Sequence, residues 1–272
     1  IYLLLIQYKM NKALDKFSLK KKTVLIIGGS GQIGKESCDI LLKAGAKVIN
    51  IDVFNDIKTS KNYHFHKIDI TNENEVKNFK KIFIKKYKKI NILINHSHYK
   101  GNNKSLDPNN SFFFKLENYP TNEWQNTLNT NLNGLFFMTK YFISLLIKNK
   151  NSVILNTSST YGKVAPNPKI YGNSGINSPI GYATTKAGII GFTKYIATHY
   201  NHYGLRANVL VPGGVENKNQ TKDFKSKYSS LTPLNRLALK SEYKEAILFL
   251  VSDASSYMTG SELVIDGGWT TW

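Results

Sequence analysis

The sequence predicts an α/β fold: a single-domain, doubly wound parallel sheet of about seven strands with helices on both faces. Three observations carry this. Short runs rich in β-branched residues recur along the chain, "TVLIIG", "NILIN" and "RANVLVP" among them, and an unbroken apolar strand is one buried on both faces. Helix-period stretches separate these runs, an alternation that calls for parallel pairing through right-handed crossovers. The three longest breaks, 96–120, 160–178 and 213–240, all follow strands. They therefore gather at the carboxyl edge of the sheet, where such folds bind ligands.

Element by element, "TVLIIG" (23–28) is the first strand, and "QIGKESCDILLKA" (32–44) is a helix stopped by Gly45. Strands follow at 47–52 and 63–69. The stretch 72–89 is amphipathic, with Asn and Glu near its start and lysines at its end, where cations suit the helix dipole. A strand at 91–95 precedes a polar loop and one long helix over 121–148. "SVILNTSS" (152–159) is a strand ending in hydroxyls. Residues 160–178 carry three glycines and two prolines and form a loop. A helix over 179–203, the strand 206–212, an irregular stretch at 213–240, a helix at 241–252 and the strand "ELVID" complete the pattern.

The 272 residues suit one large domain, assigned to 22–272 behind an N-terminal extension, 1–21. "IYLLLIQYK" is too short to span a bilayer and has no basic leader, so no membrane span is expected. Met10 reads as the natural start, with residues 1–9 non-native. The single cysteine, Cys38, lies on an apolar helix face, which suits a small core residue in a reducing, cytoplasmic setting. The net charge of +19 invites nucleic-acid binding, but only Arg206 and Arg236 are arginines. Bidentate phosphate and base contacts favour arginine, so specific nucleic-acid binding ranks last. The pairs His64/His66 and His96/His98 lack further ligands, and no metal site is expected. "SFFFKL" (111–116) is an apolar run in a polar loop, either a lid or core.

"IIGGSGQIG" joins the first strand to the first helix. Gly28, Gly31 and Gly34 let the backbone turn sharply, and Ser30, Gln32 and Ile33 complete a loop whose N–H groups face a pyrophosphate at a helix N-terminus. Asp52 ends the second strand 24 residues after Gly28. A carboxylate there accepts ribose hydroxyls and repels a 2′-phosphate, which favours NAD over NADP. Asp69, followed by Ile70, ends the third strand at the same edge, within reach of adenine.

In "SPIGYATTKAGIIGF", Tyr182 and Lys186 are one helical turn apart and share a face. A phenol titrates near 10, and a neighbouring ammonium favours the phenolate. Bringing it to about 7 requires on the order of 4 kcal/mol. Tyr182 would then exchange a proton with a substrate oxygen while hydride moves at carbon. The bland alternative is a core tyrosine and a snorkelling lysine.

Together "GGSGQIG", "NLNG", "NTSSTYG", "YATTK", "VPGG" and "VIDGG", in that order over 22–268, resemble the short-chain dehydrogenase/reductase family. The resemblance implies a catalytic tetrad of Asn131, Ser159, Tyr182 and Lys186, with Ser158 as the fallback serine. It implies that Asn131 binds a water leading to Lys186, that Lys186 holds the nicotinamide ribose, and that Pro212, Gly213 and Val215 meet the carboxamide. It also implies pairing of the helices 121–148 and 179–203 across two-fold axes, hence a homodimer or homotetramer.

Three departures stand out. Gln32 occupies a usual glycine position. "NHSH" (95–98) replaces "NNAG": Asn95 is kept, and His98 stands near the expected adenine wall. Ser159 and Tyr182 are 23 residues apart, wider than usual, and the extra "KVAPNPKIYGNSGINS" is expected in the substrate wall. This insertion and "PGGVENKNQ" are similar to flagellin-modification and nonulosonic-acid sugar oxidoreductases. The expected activity is hydride transfer between NAD(H) and a hydroxyl or ketone carbon of a sugar or nucleotide-linked sugar. The alternatives are a 3-oxoacyl-thioester reductase or broad alcohol dehydrogenase, and a cofactor-binding subunit with little catalysis.

Overall fold

The computed structural model describes residues 14–272 apart from Asp56, Thr59 and 102–105. The expected non-native stretch 1–9 and the start at Met10 lie outside them. Seven strands form one wholly parallel sheet: β1 (Thr23–Ile27), β2 (Lys47–Asp52), β3 (Tyr63–Lys67), β4 (Ile92–Asn95), β5 (Val153–Thr157), β6 (Arg206–Pro212) and β7 (Glu262–Ile265), in the order β3-β2-β1-β4-β5-β6-β7. The helices are α1 (Gln32–Lys43), α2 (Glu73–Tyr87), α3 (Thr121–Leu128), α4 (Gly134–Leu146), α5 (Ile180–His199), α6 (Lys222–Ser230) and α7 (Lys244–Val251).

Alternate residues of one strand face opposite sides of a sheet. Accordingly Leu25 and Ile27 pack with Phe79, Phe83 and Phe142 of α2 and α4, while Val24 and Ile26 pack with Leu41, Ile247 and Leu250 of α1 and α7. Two cores result, one on each face. Each such side chain contributes about 2 kcal/mol of burial. Cys38 is buried in the second core as expected. His64 and His66 pack on α2: His66 Nε2 lies 2.8 Å from the Tyr87 hydroxyl, the His64 ring tilts against Tyr87 and the His66 ring meets it edge-on.

Two elements differ from expectation. The helix expected over 121–148 is interrupted by a π turn, Asn129–Asn133, between α3 and α4. The stretch 213–240 is not wholly irregular: α6 forms within it, capped by the Thr221 hydroxyl accepting from the Phe224 N–H. Its nine residues are mostly polar, so no hydrophobic period announces them.

The strand order reverses between β1, which pairs with β2 on one side, and β4 on the other. The chain leaves these two neighbours in opposite directions, which opens a crevice beyond their carboxyl ends.

Candidate active site

That crevice is a cleft of about 1120 Å³. Gly28, Ser30, Gly31, Gln32, Ile33, Gly34, Asp52, Asp69, Ile70, Ser159, Tyr182, Lys186, Pro212, Gly213 and Val215 all line it. Segments far apart in sequence therefore meet as expected. Asn95 and Asn131 are buried behind the wall instead.

The β1–α1 turn is set by backbone geometry. Gly28 has φ +77°, and a Cβ on Gly34 would lie 2.2 Å from the Gly28 carbonyl oxygen. Gly31 is the N-cap of helix α1 and gives no side-chain cap, so the first N–H groups of the helix are left for a ligand at the cleft. Two side chains hold the turn. Asn50 Oδ1 accepts from the Gly29 N–H at 3.0 Å, and its Nδ2 donates to Ser30 Oγ and to the Tyr63 hydroxyl. Asp52 Oδ2 accepts from the Ser30 N–H at 3.1 Å, and Oδ1 from the Val53 N–H. Burial raises the Asp52 carboxyl above its usual range against those backbone bonds. Gln32 sends its side chain across the cleft, Nε2 donating to the Glu216 carbonyl at 2.7 Å. This cradle of close-packed glycines and uncapped N–H groups fits a dinucleotide pyrophosphate.

The other half is built from side chains. Tyr182 stands in the first turn of α5, and Lys186 one turn on, 2% exposed. Lys186 Nζ donates to the Thr157 carbonyl at 2.9 Å and lies 5.5 Å from the centre of the Tyr182 ring. Ser158 and Ser159 are separated by use. Ser158 Oγ donates to the Lys186 carbonyl at 2.7 Å, pinning α5 to the end of β5. Ser159 is hydrogen-bonded to the Tyr182 phenol. Its Oγ also accepts from the Tyr161 N–H, which leaves its hydroxyl hydrogen for the phenol or a substrate oxygen.

The titration of the pair differs from the expectation. Burial pushes the Tyr182 phenol up, opposed by the Ser159 hydrogen bond, and Lys186 is not among the groups that lower it. Burial, then the charge of Lys100, brings Lys186 down to about 7. In a dry pocket each partner resists its own charge before it can help the other.

Asn131, 1% exposed, sits inside the π turn, where Oδ1 accepts from the Tyr99 N–H and Nδ2 donates to Thr185 Oγ1. Its amide ties the loop after β4 to α5. Asn95 Nδ2 donates to Asn156 Oδ1 at 2.7 Å, and Asn156 Nδ2 to Thr193, a chain of amides from β4 through β5 to α5.

His98 is also corrected. It lies against the phenol and not at the adenine end: its ring centre is 6.2 Å from that of Tyr182, edge-on. Burial, then Lys100 and Lys186, holds it well below its ordinary value. His96 is clasped between Ser37 and Thr157 and brought down to about 3 by burial and the Lys186 charge. Asn50 and Tyr99 escape the sequence reading, which gives His96 only as one half of an H-x-H pair. A polar residue inside the apolar run "KVINID" is the one signal that marks Asn50.

The insertion closes the far wall. Asn177 N–H and Nδ2 both donate to the Phe113 carbonyl, joining the insertion to the loop after β4. Phe112 and Phe113 are buried, so this part of "SFFFKL" is core. Tyr171 from the insertion lines the cleft with Tyr161, Phe224 and Tyr228.

A family model described as enoyl-(acyl carrier protein) reductase matches residues 29–270. The 3-oxoacyl-(acyl-carrier-protein) reductase FabG of Thermotoga maritima is 30% identical over 262 residues, covering 92% of this chain and 98% of that protein. An uncharacterized oxidoreductase, YxbG of Bacillus subtilis, is 31% identical, covering 92% and 91%. Among solved structures, a short-chain dehydrogenase of Leptospira borgpetersenii with bound NAD+ is 36% identical, with a TM-score of 0.84 over 94% of this chain and 95% of that one. A gluconate 5-dehydrogenase of Burkholderia cenocepacia, in complex with NADP and tartrate, shares the fold at 24% identity and a TM-score of 0.81. With the motifs in order, the switch-point cleft and these likenesses in agreement, the chain belongs to the short-chain dehydrogenase/reductase family of nicotinamide-dependent oxidoreductases.

Proposed function

We propose that the protein moves hydride between NAD(H) and a hydroxyl or ketone carbon of a sugar or nucleotide-linked sugar. The observation that carries it is Tyr182, bonded to Ser159 and backed by Lys186, at the floor of a cleft that opens on the glycine turn. When bound, the nicotinamide supplies the hydride site and, oxidised, a positive charge beside the phenol. Ser159 donates to the substrate oxygen and fixes its distance from Tyr182. Tyr182 delivers the proton to that oxygen in reduction and removes it in oxidation. Lys186, held by the Thr157 carbonyl behind the phenol, would bind the nicotinamide ribose. Gly28, Ser30, Gly31, Gln32, Ile33 and Gly34 hold the pyrophosphate, Asp52 the adenosine ribose, Asp69 and Ile70 the adenine, and Pro212, Gly213 and Val215 the carboxamide. Asn131 and Asn95 position this machinery from behind.

Asp52, with both oxygens on backbone N–H groups at the ribose end, supports NAD over NADP. The insertion that walls the substrate end supports a sugar, in the manner of surface-glycan or flagellin-glycan biosynthesis. The second reading, a 3-oxoacyl-thioester reductase, rests on the likeness to FabG proteins. Phe136 and Tyr195, 45% and 55% exposed on α4 and α5, support a homodimer or homotetramer. No helix among the described residues is long and apolar enough to cross a membrane.

The test is a panel of aldoses, sugar acids, nucleotide sugars and acetoacetyl thioesters, each with NADH, NADPH or their oxidised forms, followed at the nicotinamide absorbance. NAD(H)-linked turnover of a sugar is expected. Turnover of thioesters alone, with NADPH, replaces the sugar reading by the second one.

A further inference from the structure

We infer that the cleft beyond Tyr182 ends in an aromatic subsite that holds the closed ring of a saturated polyol by its C–H face, with Phe224 as the residue that touches the ring. The inference rests on the reading of Tyr182 as the proton-transfer group and adds the shape of the molecule that this group serves.

Ring contacts run in a chain from Tyr182 to the far wall. Tyr161 meets Tyr182 edge-on with ring centres 6.5 Å apart, and Trp269 lies 6.4 Å from Tyr161. Trp269 stacks on Tyr228 at 4.3 Å, Phe224 follows Tyr228 at 5.9 Å, and Tyr171 follows Phe224 at 5.8 Å. The turn after β5, the insertion, α6 and the stretch after β7 each supply part of this chain. Its members belong to an apolar cluster separate from the two sheet cores. Packing alone accounts for Ile170, Leu237 and Trp269, which are buried there. It does not account for Tyr161 and Phe224, which keep part of their surface open and line the cleft. Aromatic surface left open in a cleft is surface for a ligand.

The patch is held in place from behind. The Tyr228 hydroxyl accepts from the Gly214 N–H at 2.7 Å, and Trp272 Nε1 donates to the Leu231 carbonyl at the end of α6. Asp266 Oδ2 accepts from the Thr270 N–H and hydroxyl, which fixes the turn that carries Trp269. Trp269 is thus a positioning residue that acts through Tyr228 and Tyr161.

Where the patch leads decides its occupant. It reaches Tyr182 through Tyr161, so a ring lying on it carries the reacting carbon. A carbon that exchanges hydride bears a hydroxyl or a ketone oxygen, which excludes a flat aromatic base as the reacting ring. A pyranose or a cyclitol has such carbons, with C–H bonds on its face for the aromatic rings and hydroxyls at its edge for Ser159 and Tyr182. An extended acyl chain has no comparable face.

The NAD+-loaded protein is titrated with two closed polyols, myo-inositol and methyl β-glucopyranoside, with open-chain glucitol, and with uridine. Calorimetry and tryptophan fluorescence read binding, so the result does not depend on turnover. At least one closed polyol is expected to bind about fivefold or more tightly than glucitol. Phe224→Leu keeps the apolar bulk and removes the flat face, and should bring that preference within about twofold. Phe224→Tyr should keep the preference, and the affinity for NAD+ should hold in both variants. Ile82→Ala, at an exposed position of α2, should change nothing. Equal binding of closed and open polyols, no binding of either closed polyol, or a preference that survives Phe224→Leu overturns the inference. So does tighter binding of uridine than of both closed polyols, which would make the patch a base-stacking site. A closed-ring preference with no turnover across the sugar and thioester panel leaves this inference standing and removes the oxidoreductase reading of Tyr182. Turnover of thioesters with no closed-ring preference does the reverse.

Discussion

The two halves of the cleft are made by different means. The half proposed for the dinucleotide is backbone: glycines that admit no side chain, an uncapped helix start, and two polar side chains that brace the turn. The half proposed for catalysis is side chains from β4, β5, α5 and the segments between them, ionisable groups brought together and buried. The first half is rigid at little electrostatic cost. The second stores a penalty, because a lysine taken out of water disfavours its own proton. The contrast teaches that binding here is organised by what is missing, and chemistry by what is forced together.

Four substitutions sharpen this contrast. Tyr182→Phe removes the exchangeable proton and keeps the ring. Turnover should fall about 10²–10⁴-fold, with the affinity for NADH, read by its fluorescence, little changed. A variant that retains turnover would end the division of labour drawn above.

Lys186→Met should abolish turnover and also stabilise the fold. Lys186 titrates near 7 in the folded protein, against 10.5 as its ordinary value. The penalty is full below pH 7 and is relieved as pH climbs towards 10, where both states lose the proton. It amounts to on the order of 5 kcal/mol, less about 2 kcal/mol for the hydrogen bond to Thr157, so a net gain of about 3 kcal/mol is expected at pH 6. Urea midpoints at pH 6 and pH 9.5 check it: the advantage of the methionine variant should shrink at the higher pH.

Gly34→Ala attacks the other half. The added methyl meets the Gly28 carbonyl, and the turn must shift. A loss of about 2 kcal/mol in stability is expected, with NADH binding weakened tenfold or more while the phenol and lysine stay in place. Intact NADH binding would show that the turn is not the cradle.

His96→Asn tests the buried imidazole between Ser37 and Thr157. His96 stays neutral to about pH 3 in the folded chain, whereas the unfolded chain takes up its proton near 6.5. Folding therefore weakens with acid below pH 6.5, by about 2 kcal/mol at pH 5. In the asparagine variant that part of the acid slope should vanish from denaturation curves measured between pH 7 and 5.

The same division explains what the sequence made legible. A backbone-built site must write its demands locally, so "IIGGSGQIG" and the aspartate ending the next strand declare themselves by spacing. All seven expected strands fall within two residues of their observed ends because a doubly buried strand has to be apolar throughout, the largest differences being at the ends of β3 and β5. The Tyr182–Lys186 pair is also local, one turn of helix. The π turn at Asn129–Asn133 is silent, because its apolar pattern fits an unbroken helix. The place of His98 beside Tyr182 depends on how a loop crosses from β4, which no local rule records. The resemblance ranks Ser159 ahead of Ser158, but the physical reason is tertiary: one hydroxyl anchors α5 and the other faces the phenol.

One link described above reaches beyond both halves. Gln32 fastens the first turn of α1 to the Glu216 carbonyl in the segment after β6. These are the two banks of a single groove, and the Glu36 ion pairs with Lys240 and Lys244 join α1 to the chain beyond them as well. Releasing the amide costs about 1 kcal/mol, far less than unfolding either bank. The amide is thus one tie among several between the glycine turn and the segment that carries Lys218 and α6.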